Sequence, residues 1–274
     1  MCSRRMHEKG MIHLVTNRCE EGRFFLLPRP KITRIVQYWL ARALTLHGQG
    51  IEVYAFIILS NHIHILLRDT KCQLAEFMGY FQGNMAREVN AALGRRGAHF
   101  WQGHYDDQII EGEKTLWNKY CYVVANAVKS GLVMRAAEWG GWSSYKMTMS
   151  EEPFSISEVD KTRYHNAGRG SKKPDKTKFV DTYTFELTPL PMLQGLAPED
   201  RKKIVKEKIA HAEKHYRARW KSRTPLGMKK IMAQRWSDRP KDFVKRPKRR
   251  FACDSEKRER ELNEIYRSFV ADYM

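Results

Sequence analysis

Two histidines close together in the sequence are the residues whose type and spacing first suggest chemistry. His62 and His64 lie two positions apart in the β-type run of residues 60–67. Successive side chains of a strand alternate between its two faces, so both imidazoles point the same way. Two imidazoles on one face can share a divalent cation if another part of the chain supplies a further ligand. The alternative is a pair of surface histidines on a half-buried strand.

A predicted helix that ends near residue 129 carries the second group of polar residues. Tyr122 and Asn126 lie one turn apart on one polar stripe, and Lys119 and Lys129 flank it. If this stripe faces the histidines, Asn126 could complete a metal shell and Tyr122 could attack a phosphate held there. The alternative is that Tyr120 and Tyr122 are aromatic residues packed against the core.

Hydrophobic periodicity predicts an alternation of strands and helices around these residues. The order β-α-β-β-α-β-α is that of a split βαβ unit, and it predicts an α+β, ferredoxin-like antiparallel sheet with helices on one face. Thr33 is the expected N-cap of the first helix. The predicted strands are 11–19, 51–59, 60–67 and 105–110, and the predicted helices are 33–47, 73–93 and 113–129.

Charge indicates the class of partner. The chain of 274 residues has a formal net charge of +19, which implies a polyanion, with nucleic acid as the first expectation. An anionic membrane is the competing partner, but the sequence has no 18-residue apolar run and no hydrophobic signal core at its N-terminus. We therefore expect a cytoplasmic, nucleoid-associated protein without a membrane partner. Monomer and homodimer both remain open.

The cysteines do not form a recognisable site. There are five, an odd number, and they are far apart without a C-x-x-C motif. This distribution predicts reduced thiols in a cytosolic protein rather than a zinc module or a disulfide framework. They are Cys2, Cys19, Cys72, Cys121 and Cys253.

A change in hydrophobic patterning predicts a domain boundary between residues 149 and 150. Residues 151–274 contain 31 Lys and Arg against 19 Asp and Glu, so the second part is a basic, mainly helical extension. Residues 150–197 are predicted to be linker-like. Two helices that follow could form a helix-turn-helix or a charged hairpin packed on the first domain. Residues 239–250 form a basic arm suited to phosphate contacts.

Channels for single-stranded nucleic acid combine basic side chains with aromatic platforms. Trp101 could serve as a platform, although a core position is an equal alternative. The candidate DNA-binding residues are Arg95, Arg96, Trp101, Lys119, Lys129, Lys229, Lys230, Arg235, Lys245, Arg246, Lys248, Arg249 and Arg250.

Four motifs in this order resemble one family. They are the runs 61–67 (NHIHILL), 100–103 (FWQG), 122–133 (YVVANAVKSGLV) and 139–145 (WGGWSSY). Together they resemble the single-tyrosine HUH transposases, and most closely the REP-associated tyrosine transposases, which are IS200/IS605-like. The resemblance covers about residues 10–146. The family has a proline where this chain has Ala127, which puts the geometry at that end of the helix in question.

The resemblance implies roles for the residues named above. His62 and His64 would bind a divalent metal, Mg²⁺ or Mn²⁺, and Asn126 would be the third ligand. Tyr122 would be the nucleophile of an enzyme that cleaves and rejoins single-stranded DNA at hairpin, REP-like elements through a 5′-phosphotyrosine. Residues 1–149 would form the HUH catalytic domain, and residues 150–274 a DNA-binding extension. The alternative is a domesticated, non-catalytic nucleic-acid-binding protein that keeps the fold.

Overall fold

The centre of the molecule is a five-stranded sheet, and a second sheet has two strands. The computed structural model describes Met6 and residues 8–168, 174–220, 224–240 and 249–271. The elements of the first half are β1 (Met11–Arg18), α1 (Pro30–His47), β2 (Ile51–Leu59), β3 (His62–Asp69), α2 (Leu74–Ala92), β4 (Asp106–Glu111), α3 (Glu113–Val124) and α4 (Asn126–Lys129). The second half contains α5 (Tyr145–Ser150), β5 (Phe154–Val159), α6 (Lys161–Ala167), β6 (Val180–Phe185), α7 (Pro198–Arg217), α8 (Met228–Ala233), β7 (Phe251–Cys253) and α9 (Glu256–Ala271).

The large sheet has the strand order β2-β3-β1-β4-β7. The first four strands are antiparallel neighbours, and this order confirms the predicted α+β, ferredoxin-like arrangement. β7 extends the sheet by pairing in parallel with β4. The sequence did not predict this fifth strand.

Both faces of the sheet are buried, so the expectation of helices on one face is wrong. On one face, Ile63 and Ile65 of β3 pack in a core with residues of α1 and α2. On the other face, Leu66 packs in a second core with Leu116 and Val123 of α3. The helices α2 and α3 can lie on opposite faces of the sheet because the strands carry apolar side chains on both of their faces. His62 and His64 lie on the α3 face, as the alternation of the strand requires.

The first helix begins earlier than the sequence analysis placed it. Arg29 is the N-cap residue and Pro30 occupies the first turn, whereas Thr33 was expected as the cap. Proline suits this position because its missing N–H would have no intrahelical partner there.

The segment 150–197, predicted to be linker-like, is instead structured over most of its described length. β5 and β6 pair along six positions, and Ile156, Tyr183 and Phe185 are buried in the core that contains α1. The linker prediction rested on the polar, Gly-, Ser- and Lys-rich composition of residues 150–178, which does not reveal the buried residues of the two strands. The domain boundary at 149/150 stays a prediction.

Two helices of the extension, α7 and α8, pack in the core that contains α3 and α4. The indole Nε1 of Trp220, just after α7, donates to the backbone oxygen of Val128 at 2.9 Å. Ile231 of α8 is fully buried in the same core. These contacts favour a hairpin packed on the first part of the chain over a projecting helix-turn-helix. Across the described residues, every helix is too short or too polar to span a bilayer.

Candidate active site

The histidine pair on β3 is held through its Nδ1 atoms. His62 Nδ1 lies 2.7 Å from Asn61 Oδ1, and His64 Nδ1 lies 2.7 Å from Thr16 Oγ1. The Asn61 amide nitrogen donates to the Gly22 carbonyl, so the Asn61 oxygen is the atom facing His62, which must donate to it. His62 therefore carries its lone pair on Nε2, and His64 does the same in the tautomer whose Nδ1 donates to the Thr16 hydroxyl, which is the arrangement that protein partners impose on metal-ligating histidines.

Both imidazoles are neutral at physiological pH. Burial, reinforced by the positive charges of Arg18 and Lys129, lowers the pKa of His62 to about 3. Burial, the neighbouring His62 and nearby cations lower the pKa of His64 well below its ordinary value. The ring centroids are 4.9 Å apart. The pair therefore offers two unprotonated nitrogens in one place, which is what metal ligation requires.

These pKa values predict acid sensitivity of the metal-free protein. Between about pH 6.5 and pH 3, the unfolded chain protonates His62 while the folded chain does not, so the free energy of unfolding falls as the pH falls through this window. Each unit of pKa shift is worth about 1.4 kcal/mol at most. We expect His62→Gln to flatten the decline between pH 6.5 and pH 5 when unfolding by denaturant is measured with EDTA present. Equal slopes for both proteins would contradict the buried, neutral assignment.

The Tyr122 hydroxyl lies 3.4 Å from His64 Nε2, and the two rings stand edge-to-face at a centroid distance of 5.1 Å. Tyr122 is partly exposed, and the Lys129 ammonium lies 4.9 Å from its ring centroid. Tyr120 is 3% exposed, and its hydroxyl lies 3.3 Å from that of Thr148. The alternative of a purely packed aromatic residue thus applies to Tyr120 and not to Tyr122.

Asn126 begins a short helix that follows a break in the predicted helix 113–129. Ala125, with φ −96° and ψ 18°, separates α3 from α4. α4 ends in a Schellman motif, in which Gly131 has φ +66° and donates to Val128, while the next amide donates to Ala127. The substitution of Ala127 for the family's proline is thus compatible with a well-formed helix end.

The Asn126 side chain has a donor to spare. It is 2% exposed, its oxygen accepts from the Ser130 hydroxyl at 3.2 Å, and its Nδ2 has no hydrogen-bond partner among the described residues. Rotation of the amide by 180° would place the oxygen at the orphaned position, and the hydroxyl of Ser130 could then accept from Nδ2. Asn126 is therefore able to present an oxygen to a cation without losing its partner.

The donor set fits a weakly bound divalent cation. Within the described ranges no cluster of three or more His, Cys, Asp or Glu residues could hold a metal. Two imidazole nitrogens and one amide oxygen would leave coordination positions open for oxygens of a substrate phosphate. His62, His64 and Asn126 remain the predicted ligands, and Mg²⁺ and Mn²⁺ remain the predicted metals.

Three positive side chains surround the imidazoles. Lys119, Lys129 and Arg18 each act electrostatically on His64. The first two were expected there. Arg18 was missed because only the pairing of β1 with β3 places it opposite His62. Neutral imidazoles among cations form a site that favours an anion such as phosphate.

Two other candidates take part in packing. The Arg95 guanidinium lies 3.7 Å from the Phe25 ring centroid and donates to Asn90 Oδ1 and to the His99 carbonyl. Trp101 is partly buried, and its Nε1 donates to the Gln82 carbonyl. Trp101 therefore takes part in packing against the core, and its role as a platform for DNA stays a prediction.

The remaining basic candidates lie at the surface or outside the described residues. Arg250 stacks on Tyr266 with its guanidinium carbon 4.0 Å from the ring centroid. Lys245, Arg246 and Lys248 lie outside the described residues. The exposed candidates are Arg96, Lys229, Lys230, Arg235 and Arg249.

Part of the chain is similar to known transposases. Residues 29–123 match the family model described as "Transposase IS200 like". Among curated proteins, none matches the chain. A solved REP-associated tyrosine transposase bound to a REP hairpin is 18% identical, with a TM-score of 0.46, and the match covers 54% of this chain and 84% of that one.

A solved putative transposase from Deinococcus radiodurans is 17% identical, with a TM-score of 0.30, and the match covers 39% of this chain and 84% of that one. The segment that matches the family model contains both histidines of β3 and ends one residue after the site tyrosine. Residues 29–123, which carry His62, His64 and Tyr122, are therefore similar to the IS200-like transposases.

Proposed function

We propose that this protein is a metal-dependent tyrosine transposase that nicks single-stranded DNA and rejoins the strands. One observation carries the proposal: a partly exposed phenol lies 3.4 Å from an imidazole of a buried, neutral histidine pair. A nucleophile beside a potential metal site is the arrangement that covalent phosphoryl transfer needs. The resemblance of the motifs adds hairpin, REP-like elements as the substrate class.

The chemistry assigns a task to each side chain of the site. The Tyr122 oxygen attacks the scissile phosphorus in line, its proton is released, and the bond to the 3′-oxygen breaks, leaving a 5′-phosphotyrosine and a 3′-hydroxyl. Bound to the imidazoles and Asn126, a divalent cation would supply charge stabilisation to a non-bridging phosphate oxygen. Lys129, Lys119 and Arg18 hold the phosphate by charge. Because the phosphodiester energy is stored, a second 3′-hydroxyl can reverse the step and join new ends.

A single incubation tests this function. A single-stranded hairpin oligonucleotide with a dye at its 3′ end, on the side of the nick that stays joined to the tyrosine, is mixed with the protein and Mn²⁺, and the products are separated on a denaturing gel. The proposal requires a labelled species of protein size that disappears in EDTA and after proteinase treatment. Binding of the hairpin without any covalent species would favour the domesticated, non-catalytic alternative.

The basic arm offers a separate prediction about binding. Lys245, Arg246 and Lys248 were assigned to DNA on charge, and replacing all three by glutamine should weaken hairpin binding and reduce its salt dependence. Removing one phosphate contact lowers the slope of log K against log[salt] by about 0.7 for a single strand. The matched control replaces Lys202, Lys203 and Lys206 of α7 by glutamine, which removes the same charge elsewhere. Equal slopes of log K against log[salt] for the two variants would show that these residues of the arm make no phosphate contacts.

Substitution is preferable to deletion of residues 240–274 because that segment is also structural. It supplies β7 to the sheet and the residues that contact the start of α3. A deletion would therefore change the site as well as the arm.

A further inference from the structure

The helix that carries Tyr122 begins beside a residue from the far end of the chain. β4 leads into α3 through Gly112, and β7 runs parallel to β4 with Cys253 paired to Glu111. The two strands end together, so Asp254, which follows β7, lies beside Gly112. This places a carboxylate at the start of α3, about 140 residues away in sequence.

Asp254 caps α3 from outside the helix. Its Oδ1 accepts from the Thr115 amide at 2.6 Å, and its Oδ2 accepts from the Lys114 amide at 3.3 Å. Hydrogen bonds from Thr115 hold the pKa of Asp254 below its ordinary value, so a negative charge faces the positive end of the helix. α3 lacks a cap of its own, because the N-cap residue is Gly112.

Gly112 leaves the space that the carboxylate fills. A Cβ atom at this position would lie only 2.3 Å from Asp254 Cγ. The glycine also has φ +97° and ψ 144°, a conformation that side-chain-bearing residues rarely adopt. The two residues are thus complementary: Gly112 has no side chain to cap the helix, and the Asp254 carboxylate provides the cap.

Further contacts join the same segment to the site. Arg258 binds the Glu111 carboxylate through two nitrogens. The Gln108 side chain donates to the Arg249 carbonyl at 3.1 Å and accepts from Lys119 Nζ at 2.6 Å. Lys119 lies one turn before Tyr122 on α3. The end of the basic arm and the residues directly after it are therefore connected to both the start of α3 and the turn that carries Tyr122.

We infer that Asp254 is a positioning residue, which fixes α3 through its first turn and thereby holds Tyr122 against His64. The catalytic readout of this inference rests on the proposed function. The extension is accordingly part of the machinery that orients the nucleophile, in addition to any contact it makes with DNA. A residue that served only DNA binding would change affinity for the hairpin, whereas a positioning residue changes the rate of the bound complex.

The test compares three variants of the full chain. Asp254→Ala removes the acceptors, Asp254→Asn keeps one acceptor oxygen for the Thr115 amide but no charge, and Glu264→Ala removes an exposed carboxylate of α9 as a control. For each, we measure hairpin affinity, the single-turnover rate of adduct formation at saturating hairpin with Mn²⁺, and amide hydrogen exchange over residues 113–124 without DNA or metal.

The expected result separates rate from binding. Asp254→Ala should form the adduct about tenfold more slowly, with unchanged hairpin affinity and faster exchange through α3. Glu264→Ala should match the wild type, and Asp254→Asn, which keeps one acceptor oxygen, should lie closer to the wild type than to Asp254→Ala. A wild-type rate for Asp254→Ala would overturn the inference, as would Asp254→Asn as slow as Asp254→Ala, or a loss confined to hairpin affinity.

Failure of the proposed function would be visible separately. If the wild-type protein forms no adduct, the proposed transposase activity is rejected. The hydrogen-exchange data alone then test the role of Asp254. Unchanged exchange at the α3 amides in Asp254→Ala would then overturn the positioning role. Circular dichroism shows whether Asp254→Ala is folded. If it is not, Asp254→Asn becomes the deciding variant. Loss of the adduct in Asp254→Asn, with hydrogen exchange in α3 like that of the wild type, would then contradict the capping argument.

Discussion

Tyr122→Phe should abolish the covalent protein–DNA adduct and leave hairpin binding unchanged. The substitution removes one oxygen, while the ring keeps its edge-to-face contact with His64 and its place beneath the Lys129 ammonium. Because that oxygen is the proposed nucleophile, adduct formation should fall to the background of the uncatalysed reaction. The measurement is a denaturing gel of labelled hairpin with Mn²⁺, beside a binding titration of the same hairpin.

Tyr120→Phe is the matched control for this prediction. It removes the same atom from a neighbouring residue of α3, but the Tyr120 hydroxyl is buried and its partner is Thr148. Loss of one such hydrogen bond costs about 1 kcal/mol of stability and should leave the adduct intact. An adduct that persisted in Tyr122→Phe and disappeared in Tyr120→Phe would move the nucleophile to Tyr120.

The parts of the fold that could be predicted are those in which local pattern and global structure agree. β2 is a continuous β-branched and aromatic run, and it occupies the predicted residues Ile51–Leu59. The two-residue period of β3 placed His62 and His64 on one face before any partner strand was known. The amphipathic period of α2 likewise located Leu74–Ala92 to within one residue at each end.

Features that depend on long-range pairing were not accessible. The register of β1 against β3 puts Thr16 opposite His64 and Arg18 opposite His62, although about 45 residues separate them. No local signal encodes that register, so the hydroxyl that holds His64 and the cation beside His62 were both missed. The contact of Asn61 with His62 is local in sequence, because Asn61 directly precedes His62 in a predicted tight turn.

The extension shows the same limit. β7 has three residues, of which only Phe251 is fully buried, and its extended form follows from pairing with β4 rather than from its own composition. The Ser and Thr residues of β5 and β6 face solvent and conceal the buried Ile156 and Tyr183. The composition of residues 150–197 predicted a linker, whereas burial of alternate residues stabilises β5 and β6 as strands.

His64→Ala should remove metal-dependent cleavage and lower the affinity for Mn²⁺ in the absence of DNA. The substitution deletes one of two nitrogens that the protein holds neutral and oriented, and the remaining ligands, His62 and Asn126, are too few for a stable site. We expect a loss of at least about 100-fold in Mn²⁺ affinity, since even outer partners of a metal-bound histidine contribute 10- to 100-fold. Isothermal titration with Mn²⁺ measures this directly.

A graded series makes the argument about His64 specific. Thr16→Val removes only the hydroxyl that lies 2.7 Å from His64 Nδ1, and it should cost about tenfold in Mn²⁺ affinity with the imidazole still present. His47→Ala removes a histidine that ends α1 and contacts Glu76, and it should bind Mn²⁺ like the wild type. The decrease in affinity should therefore be largest for His64→Ala, smaller for Thr16→Val and absent for His47→Ala. Cleavage that continued in EDTA, with all three variants binding Mn²⁺ equally, would remove the metal from the mechanism and leave Tyr122 to act with the surrounding cations alone.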